Sequence, residues 1–402
     1  MLIVQKFGGS SVANTAKIKN VAAIIAETYL AGNSVVVVLS AQGDTTDDLL
    51  AKAAEITSEP SKRELDMLLA TGEQQSIALM GMCLDSMGLP VISLTGWQAG
   101  MHTDSVYGLA RIRRINPERI KRELDQRRIV LVAGFQGVTK YDDVTTLGRG
   151  GSDATAVAIA AAIHADRCQI YTDVEGVYTT DPRKVPAARK LEEITYDEML
   201  ELASMGAQVL MNRSVQLAKR YGVELEVLSS LKRVSGTRVK EVTKKVEEMK
   251  ITGIAKDEKV VRITVENLPD TPGAAFKVFG IIAKAGVNVD NIIQAQGRNG
   301  VNDMSFTVAE QDTDKAIAAL EEKKEAVGIG GVSVDRNIAK ISVVGAGMMN
   351  NSGIAYLAFE ALNDENINIQ MISTSEIKLS VIIAQNQADR AVAAIHRKFF
   401  EA

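Results

Sequence analysis

The sequence predicts an α/β protein in which a layered domain with a largely parallel sheet is followed by two small α+β units. Short β-branched runs alternate with helical patterns over the part of the chain before position 238. A stretch at 238–250, with 8 charged residues out of 13, then interrupts this alternation. Beyond it, one pattern of strands and helices occurs twice, which indicates an internal duplication.

The first part of the chain contains four strand candidates and three helix candidates. The strand candidates are residues 2–4, 35–39, 91–94 and 129–132. The helix candidates are residues 12–29, 62–87 and 154–163. Strands and helices that alternate at this spacing are typical of a parallel sheet covered by helices. We therefore predict one domain over 1–237, and a solvated linker or exposed helix over 238–250.

The C-terminal third repeats itself. A strand that begins at Ile263, a turn at Gly273 and a second strand near Asn288 all recur at a nearly constant offset further along the chain. Each pass follows the order strand, helix, strand, strand, helix, so we predict two copies, at 260–336 and 337–402.

The two copies differ in their number of strands. The first copy has a further strand at 331–335, and the second copy ends with a helix and has no equivalent. A strand at 251–256 could complete the second copy, or this segment could be linker.

Composition excludes several classes of protein. Lys and Arg number 46 against 50 for Asp and Glu, so the net charge of −4 offers no global attraction to nucleic acid or membrane. Two cysteines rule out a disulfide scaffold and suit a reducing cytosol. No run of about 18 apolar residues indicates a membrane span, and the run before Lys6 is too short for a signal-peptide core. We expect a cytoplasmic protein without nucleic-acid or membrane partners.

Two loops that follow strand candidates combine glycine with a basic residue. The first, at 4–11, runs through Lys6 into a Gly-Gly turn, where backbone N–H groups and a helix N-terminus can bind an anion. The second places Arg149 just before an alanine-rich helix, for which Ser152 or Asp153 is a suitable N-cap. Taken singly, each could also be an ordinary turn or a capped helix with an exposed charge.

A third polar loop, Ser40-Ala-Gln-Gly-Asp-Thr-Thr-Asp, follows the valine-rich strand candidate. In open α/β sheets, ligands bind at the carboxyl ends of the strands. Three polar loops at strand ends can converge on one crevice, and this convergence favours a binding site over three unrelated turns.

The sequence lacks the motifs of two common nucleotide-binding folds. It contains neither G-x-x-x-x-G-K-[ST] nor a strand-linked G-x-G-x-x-G, so we expect neither a P-loop ATPase nor a dinucleotide fold. Its histidines, His102, His164 and His396, do not pair with Cys or Glu at metal-ligand spacing. We therefore predict no protein metal site.

Six motifs in order resemble those of the aspartate kinase (aspartokinase) family. They are Lys6-Phe-Gly-Gly-Ser-Ser, Ser40-Ala-x-Gly-Asp-Thr-Thr-Asp, Thr71-Gly-Glu73, Gly134-Phe-Gln-Gly, Thr145-Thr-Leu-Gly-Arg-Gly-Gly-Ser-Asp153 and Tyr171-Thr-Asp-Val-x-Gly-Val-Tyr-Thr-Thr-Asp-Pro-Arg183. The resemblance runs essentially over 1–402, and its C-terminal pair looks like ferredoxin-like ACT domains. It implies the amino-acid kinase fold, in the monofunctional bacterial form.

The resemblance also implies a reaction, in which ATP with Mg²⁺ phosphorylates the β-carboxylate of L-aspartate to 4-phospho-L-aspartate. This is the first step towards lysine, threonine and methionine. The acceptor carboxylate has a pKa of about 3.9 and is already ionised at pH 7, so no strong general base is needed. The catalytic residues implied are Lys6, which neutralises the transferring phosphoryl group, and Asp153, which orients Lys6 and solvent.

The family motifs assign further residues to the two substrates. Arg149 would hold the α-carboxylate of aspartate, and Glu73 its ammonium group. The full set of implied aspartate-binding residues is Ser40, Thr45, Glu73, Arg149 and Ser152. The implied nucleotide-binding residues are Lys6, Gly8, Gly9, Ser10, Thr172, Asp173, Tyr178, Asp181 and Arg183. One departure is Met211-Asn212-Arg213, where relatives often carry His-Pro-Arg.

Regulation is the last implication of the resemblance. Lysine, threonine or both would bind to the ACT pair and inhibit the enzyme, and the chain would form a homo-oligomer through these units. The implied effector-binding residues are Asp270, Gly273, Ala275, Met348, Ile354, Ala355, Asn288, Gln294, Asn368, Ile369, Ser375 and Glu376. Asp270 is expected to cap a helix, and the last six of this set to lie on matching strands. An internal start at Met249 would produce a shorter regulatory subunit.

Two other functions stay open on the sequence alone. The chain could be another amino-acid kinase that acts on glutamate, acetylglutamate or a nucleotide, or a non-catalytic amino-acid sensor. Arg149 together with Glu73 favours a zwitterionic amino acid as substrate, and the tandem ACT pair favours aspartate kinase. Lys6 and Asp153 favour an enzyme over a sensor.

Overall fold

The computed structural model describes residues 1–204, 209–242, 251–295, 300–348 and 353–401. Within these ranges the chain forms two units. Unit 1 holds residues 1–178, 189–204 and 209–242, and unit 2 holds residues 179–188 together with the chain from 251 onward. The division differs from the sequence-based limits because residues 179–188, expected in the first domain, belong to unit 2.

Unit 1 is built from short strands and mostly longer helices. Its strands are β1 (Leu2–Phe7), β2 (Ser34–Leu39), β3 (Val91–Leu94), β4 (Met101–Thr103), β5 (Ile112–Ile115), β6 (Ile129–Ala133), β7 (Gln136–Val138), β8 (Val144–Thr146), β9 (Arg167–Thr172), β10 (Glu193–Thr195), β11 (Leu225–Ser229) and β12 (Thr237–Lys240). Its helices are α1 (Thr15–Leu30), α2 (Thr45–Ile56), α3 (Lys62–Leu69), α4 (Thr71–Ser86), α5 (Glu118–Asp125), α6 (Gly151–Ile163), α7 (Tyr196–Ser204) and α8 (Asn212–Tyr221).

The central sheet of unit 1 has eight strands in the order β10-β12-β11-β9-β1-β2-β6-β3. All of its pairs are parallel except β11 with β12. The residues of β2 from Val35 to Leu39 are fully buried, as expected for a central parallel strand with both faces covered. A smaller sheet has the order β5-β4-β7-β8. The predicted α/β class with a largely parallel sheet is confirmed.

The helix predictions over 62–87 and 12–29 need correction. The single helix predicted over 62–87 is two helices, α3 and α4, which meet at Ala70. The Ala70 carbonyl accepts a hydrogen bond from the Gln136 side chain at 2.8 Å, a contact from a distant strand that periodicity cannot reveal. The predicted helix start at residue 12 is also early, since a short 3₁₀ turn precedes α1 and the Asn14 side chain caps α1 by accepting from the Lys17 N–H.

Unit 2 contains the two predicted copies. Its strands are β13 (Gly253–Asp257), β14 (Val260–Pro269), β15 (Asp290–Ala295), β16 (Val301–Ala309), β17 (Gly331–Asp335), β18 (Ile338–Val344), β19 (Met371–Thr374) and β20 (Lys378–Ala384). Its helices are α9 (Ala274–Lys284), α10 (Thr313–Val327), α11 (Ile354–Asp364) and α12 (Ala388–Phe400). The two sheets have the orders β15-β16-β14-β17 and β13-β18-β20-β19. Within the described ranges, no helix of either unit has the length and apolarity that a bilayer crossing requires.

Strand β13 belongs to the second sheet. It pairs antiparallel with β18 from Gly253 opposite Val344 to Asp257 opposite Lys340. Ile254 is buried in the core of this copy, and its N–H donates to the Thr179 carbonyl at 2.6 Å. Val185 is buried in the same core. Of the two sequence alternatives for this segment, the structure has the strand, and the second copy therefore begins before the first along the chain.

We expect a fragment of residues 249–402 to melt about 10 °C above one of residues 260–402. The shorter fragment lacks β13, and with it the burial of Ile251 and Ile254, each worth roughly 1.5–3 kcal/mol, where 1 kcal/mol moves the melting temperature by about 2–4 °C. Both fragments lack residues 179–188, so the comparison reports β13 without its hydrogen bond to the Thr179 carbonyl. Circular dichroism melts measure the difference, and equal melting temperatures would assign no stabilising role to β13.

Candidate functional site

A cleft of about 270 Å³ in unit 1 lies where several strands end. It collects residues that follow β1, β2, β6 and β8, together with one residue of α4. The lining residues are Lys6, Gly8, Gly9, Ser40, Ala41, Gly43, Thr46, Glu73, Phe135, Gly148, Arg149, Gly150, Gly151, Ser152 and Asp153. The three polar loops noted in the sequence therefore meet in one place, as strand ends of a parallel sheet should.

Lys6 and Asp153 form the charged centre of the cleft. Lys6 lies on β1, Asp153 lies in the first turn of α6, and the Lys6 Nζ is 2.6 Å from the Asp153 Oδ1. Their side chains are only 12% and 10% exposed. An ion pair this well shielded from water holds the ammonium group in one position, while Lys6 can still donate to an anion that enters the cleft.

The loop after β1 and the loop after β2 come into close contact at Gly9. A Cβ atom at this position would lie 2.5 Å from the Ala41 carbonyl oxygen, so only glycine fits without displacing backbone. The Gly43 N–H donates to the Gly9 carbonyl at 3.1 Å and joins the same loops. Glycine at position 9 is therefore required by the approach of the loop after β2, and Gly8 lies beside Lys6.

Glu73 is a buried carboxylate with one free oxygen. It lies in the first turn of α4 and is 3% exposed, and its Oε1 accepts from the Ala41 N–H at 3.1 Å. The Glu73 Oε2 is buried and has no hydrogen-bond partner among the described residues. Burial is the largest cause that raises the pKa of Glu73 to about 7, although its backbone hydrogen bonds act in the opposite direction. A cation in the cleft would satisfy this oxygen and favour the ionised form.

Arg149 is the exposed charge of the cleft. It stands between Gly148 and Gly150, whose φ angles of 73° and 71° lie in the left-handed region that glycine adopts without strain. No hydrogen bond or ion pair joins its guanidinium to the residues that the structure describes. The two glycines thus produce a loop in which an unpaired guanidinium lines the cleft and is available to a carboxylate or phosphate.

The start of α6 differs from the sequence prediction. The helix begins at Gly151, three residues earlier than predicted, and Gly150 occupies the N-cap position without a side-chain hydrogen bond. Neither Ser152 nor Asp153 is the cap, because both already lie within the first turn and Asp153 is paired with Lys6. The N-terminal turn of α6 therefore lies directly at the cleft, where its dipole favours negative charge.

The remaining predicted substrate residues do not line this cleft. Thr45 is the first residue of α2 and its neighbour Thr46 is the lining residue. Ser10 lies in the 3₁₀ turn, where its carbonyl accepts from Lys17 at 2.8 Å. These two positions are therefore near the site along the chain but not among its walls.

The predicted nucleotide segment is divided between the units. Thr172 ends β9, and its hydroxyl donates to Asp173, while Tyr178 forms an isolated bridge with Lys190 in unit 1. Asp181 and Arg183 belong to unit 2 and pair with each other, with the Arg183 Nη2 donating to the Asp181 Oδ2 at 2.9 Å. The hydrogen bond from the Arg183 side chain is the largest cause that holds the pKa of Asp181 below its usual range.

Sequence reasoning missed Phe135, which lines the cleft, and Ser230, which bonds to Ser11 after the Gly-Gly turn. Phe135 has a φ of 69°, an unusual value for a residue with a side chain. Ser230 is buried directly after β11. Its hydroxyl accepts from the Ser11 hydroxyl at 2.9 Å and donates to the Thr172 carbonyl at 3.1 Å. Phe135 stands in the quoted motif Gly134-Phe-Gln-Gly, and the serine pair after β11 was a further polar loop at a strand end.

Several predicted effector residues lie at other positions than expected. Asp270 does not cap α9, because Gly273 is its N-cap and Asp270 instead accepts from the Asn302 side chain at 2.8 Å. Of the six effector residues that were predicted to lie on strands, only Gln294 does so, on β15. The others precede or follow strands because the strands are shorter than predicted. These loop positions are Asn288, Asn368, Ile369, Ser375 and Glu376.

The other effector residues surround the starts of the unit 2 helices. Ala275 lies in the first turn of α9, and Ile354 and Ala355 begin α11. Met348 ends a 3₁₀ turn, and the loop from 349 to 352 lies outside the described residues. Of the whole predicted set, only Ile369 contributes to a cleft of about 340 Å³ in unit 2, and Arg262 and Ser305 also line that cleft.

Side chains that could bind a metal are numerous but do not cluster in the described part of the chain. Within the described ranges, no three side chains of His, Cys, Asp or Glu come together as a metal site. A cleft of about 370 Å³ elsewhere in unit 1 includes His102, Trp97 and Arg122 among its walls, but it holds none of the predicted residues. The size of a cleft alone therefore does not distinguish the candidates, and the cleft around Lys6 differs in the unpaired groups of Glu73 and Arg149.

Family models match both units. Residues 1–229 match the amino acid kinase family, and residues 261–325 and 341–399 each match an ACT domain. The chain is 47% identical to an aspartokinase of Bacillus sp. (strain MGA3) over 398 residues, which cover 99% of this chain and 97% of that protein. It is 48% identical to an aspartate kinase of Pseudomonas putida over 399 residues, with the same coverage of 99% and 97%.

Solved structures show the same relationship. The crystal structure of E. coli aspartokinase III in complex with aspartate and ADP matches with a TM-score of 0.84 and 26% identity, and it covers 100% of both chains. The structure of the same enzyme with lysine and aspartate matches with a TM-score of 0.80 and 27% identity, over 99% of both chains. The shared fold, the full-length similarity and the paired ACT domains show that this chain belongs to the aspartokinase family of amino acid kinases.

Proposed function

We propose that this aspartate kinase transfers the γ-phosphoryl group of ATP to the β-carboxylate of L-aspartate and forms 4-phospho-L-aspartate and ADP. A carboxylate oxygen attacks the γ-phosphorus as the bond to the β,γ-bridging oxygen breaks, and ADP leaves with the electron pair of that bond. One observation carries the proposal: the cleft offers an unpaired buried carboxylate oxygen of Glu73 and an unpaired guanidinium of Arg149. These two groups complement the ammonium and α-carboxylate of one amino acid.

The charges around Lys6 support this reaction. Both reactants are anions, so the main obstacle is repulsion, and catalysis depends on positioning and neutralisation rather than on a strong base. Lys6, held by Asp153 at 2.6 Å, would donate to the transferring phosphoryl group. The Gly8 and Gly9 backbone and the N-terminal turn of α6 would stabilise the remaining negative charge. Ser40 and Ser152, which also line the cleft, are proposed to bind aspartate, with Thr45 nearby.

ATP and Mg²⁺ are proposed partners of this site. Magnesium is usually held by nucleotide phosphates and few protein groups. The ion would arrive with the nucleotide and neutralise phosphate charge. Thr172, Asp173 and Tyr178 are proposed to bind the nucleotide in unit 1. Asp181 and Arg183, which the family motifs also assign to the nucleotide, belong to unit 2 and pair with each other.

The ACT domains are proposed to bind lysine, threonine or both, and to form the contact of a homo-oligomer. E. coli aspartokinase III has been crystallised with lysine, which supports lysine as an effector here. Inhibition by end products fits an enzyme at the first step towards lysine, threonine and methionine. Purified protein assayed with lysine and threonine, separately and together, tests this part of the proposal.

Replacement of Arg149 by Lys is expected to raise the aspartate KM about tenfold and to leave the ATP KM within about twofold. An ammonium group cannot reproduce the two parallel hydrogen bonds of a guanidinium to a carboxylate, and a loss of about 1.4 kcal/mol corresponds to one factor of ten. Steady-state ADP release, with aspartate and ATP varied in turn, measures both constants.

The matched control is Arg63→Lys, an exposed arginine on α3 that pairs with Asp143 and Glu64 outside the cleft. Replacing aspartate by glutamate in the same assay tests the length of the substrate. An unchanged aspartate KM with a weakened ATP KM would place Arg149 on the nucleotide. Absence of aspartate-dependent ADP release in the wild type would reject the enzyme in favour of a sensor.

A further inference from the structure

Two short segments of unit 1 lie side by side, and one of them leads directly into the loop that carries Arg149. Residues 108–110 lie between β4 and β5. Thr146 ends β8, and Leu147 follows it just before the loop that carries Arg149. The Ala110 N–H donates to the Thr146 carbonyl at 2.9 Å and joins the segments directly. Thr146, Leu147 and Ala110 are buried, so their remaining backbone groups also need partners.

Asp66 on α3 supplies the acceptor side of a second connection. It is 1% exposed, and its Oδ2 accepts from both the Gly108 N–H and the Thr146 N–H, each at 2.9 Å. Its Oδ1 accepts from the Thr146 hydroxyl at 2.6 Å. A buried carboxylate that receives three hydrogen bonds fixes the geometry of these two segments.

Arg213 on α8 donates hydrogen bonds to carbonyl groups of the same two segments. Its Nη1 donates to the Leu147 carbonyl at 2.6 Å, and its Nη2 donates to the Ala110 carbonyl at 2.9 Å. The planar fork of a guanidinium fixes the distance between the two carbonyls that it bridges. Asp66 and Arg213 thus come from different helices, and each bridges the same pair of segments, one through N–H groups and the other through carbonyls.

The loop that carries Arg149 is in close contact with residues that stand next to the bridged segments and to Arg213 in the sequence. A Cβ at Gly148 would lie 2.7 Å from the Leu109 side chain, and one at Gly150 would lie 2.5 Å from the Met211 side chain. Leu109 belongs to the segment that both bridges hold, and Met211 is two residues before Arg213. The backbone on both sides of Arg149 is therefore in close contact with the elements that Asp66 and Arg213 connect.

We propose that Asp66 and Arg213 are positioning residues for aspartate, which act by holding the Arg149 guanidinium in the place where it meets the α-carboxylate. The inference rests on the proposed role of Arg149 in binding aspartate. A shift of about 1 Å in a binding group can cost a factor of 10 to 100 in an enzyme's efficiency, so loss of either bridge should appear in the aspartate KM.

A double-mutant cycle on the full-length enzyme tests the proposal. Arg213→Ala is expected to raise the aspartate KM about tenfold, with the ATP KM within about twofold, and Arg213→Lys to recover part of the loss through one carbonyl. The double variant Arg149→Lys/Arg213→Ala should have an aspartate KM close to that of Arg149→Lys alone, because Arg213 acts through Arg149. Asp66→Ala should behave like Arg213→Ala, and Asp66→Asn, which keeps the shape and most hydrogen bonds, should recover.

The cycle separates failure of this proposal from failure of the proposed function. If Arg149→Lys alone leaves the aspartate KM unchanged, the assignment of Arg149 to aspartate is wrong, and the positioning proposal falls with it. If Arg149→Lys raises the aspartate KM but Arg213→Ala alters only kcat or stability, or its effect multiplies fully with that of Arg149→Lys, only the positioning proposal is overturned.

Two further variants keep the test decisive. Arg220→Ala removes an exposed arginine of the same helix, which lies over Tyr221, and should change neither KM. If the alanine variants do not fold in a circular dichroism melt, Arg213→Lys and Thr146→Val take their place, since each removes part of one bridge. An aspartate KM unchanged in both of these folded variants would overturn the proposal.

Discussion

Lys6→Ala is expected to lower kcat about a thousandfold, equivalent to roughly 4 kcal/mol, because it removes the one ammonium group that lines the described cleft. The melting temperature should also fall. An exposed turn lysine would contribute little to stability, but the Lys6 side chain is only 12% exposed and neutralises a shielded Asp153. Its loss leaves a shielded carboxylate without its counter-ion. Single-turnover phosphoryl transfer and a thermal melt measure the two effects separately.

The double variant Lys6→Met/Asp153→Asn separates catalysis from stability. It removes both charges together, so it should regain most of the melting temperature that Lys6→Ala loses. It should stay as inactive as Lys6→Ala, because no ammonium group remains near the phosphoryl group. Lys17→Ala, a change at a nearby lysine whose ammonium contacts only the Ser10 carbonyl in the described residues, is the control. A Lys6→Ala variant with kcat within about threefold of the wild type would contradict the assignment.

Glu73→Gln is expected to raise the aspartate KM about a hundredfold, equivalent to roughly 3 kcal/mol for a charged hydrogen bond lost in a shielded site. The same change should stabilise the ligand-free protein at pH 8. Burial raises the pKa of Glu73 to about 7, against 4.5 for the free side chain, so its ionised form is unfavourable in the folded state. A shift of this size corresponds to roughly 3 kcal/mol, which glutamine would recover.

The sign of this stability effect follows from proton linkage. Between pH 4.5 and 7 the unfolded chain loses the Glu73 proton and the folded chain keeps it, so rising pH lowers the free energy of unfolding in this window. Below pH 4.5 both states are protonated, and above pH 7 both are ionised. The stability difference between Glu73→Gln and the wild type should therefore be near zero at low pH, grow up to pH 7 and then stay constant.

Urea denaturation followed by fluorescence tests the prediction. The chain has one tryptophan, and Trp97 belongs to unit 1, so its emission reports the unit that contains Glu73. The wild-type aspartate KM should rise as pH falls below 7, and this dependence should vanish in Glu73→Gln. Asp85→Asn, at the other end of α4, is the matched control. A Glu73→Gln variant that is less stable at pH 8 would show that the carboxylate is paired in the free protein.

Much of the fold could be predicted from local patterns. The strand at Val91–Leu94 has the predicted bounds, and the strand at Gly331–Asp335 likewise. The duplication near the C-terminus corresponds to two four-stranded sheets. These features depend on residues within a few positions of each other, where alternation, glycine turns and apolar periodicity decide the local conformation.

Helix ends and strand ends were predicted less well. At the break between α3 and α4, the Ala70 carbonyl accepts from the Gln136 side chain, and near the start of α6, Asp153 pairs with Lys6. The position of residues 179–188 in unit 2 depends on Val185, which is buried in a core formed mainly from the C-terminal copy. Each partner is far away in the sequence, so no local pattern contains the information.

The sequence by itself determined which residue types stand at the strand ends, and hence the family and the charges available to the site. The tertiary structure decided what those charges do. Glu73 is a solvated glutamate by its local pattern, but the folded chain buries it, and burial raises its pKa although the hydrogen bond from the Ala41 N–H acts in the opposite direction. The proposed position of the Arg149 guanidinium depends on Asp66 and Arg213, which lie far from Arg149 along the chain, one on either side. Burial and hydrogen-bond geometry arise from contacts between distant residues, and these exist only in the folded chain.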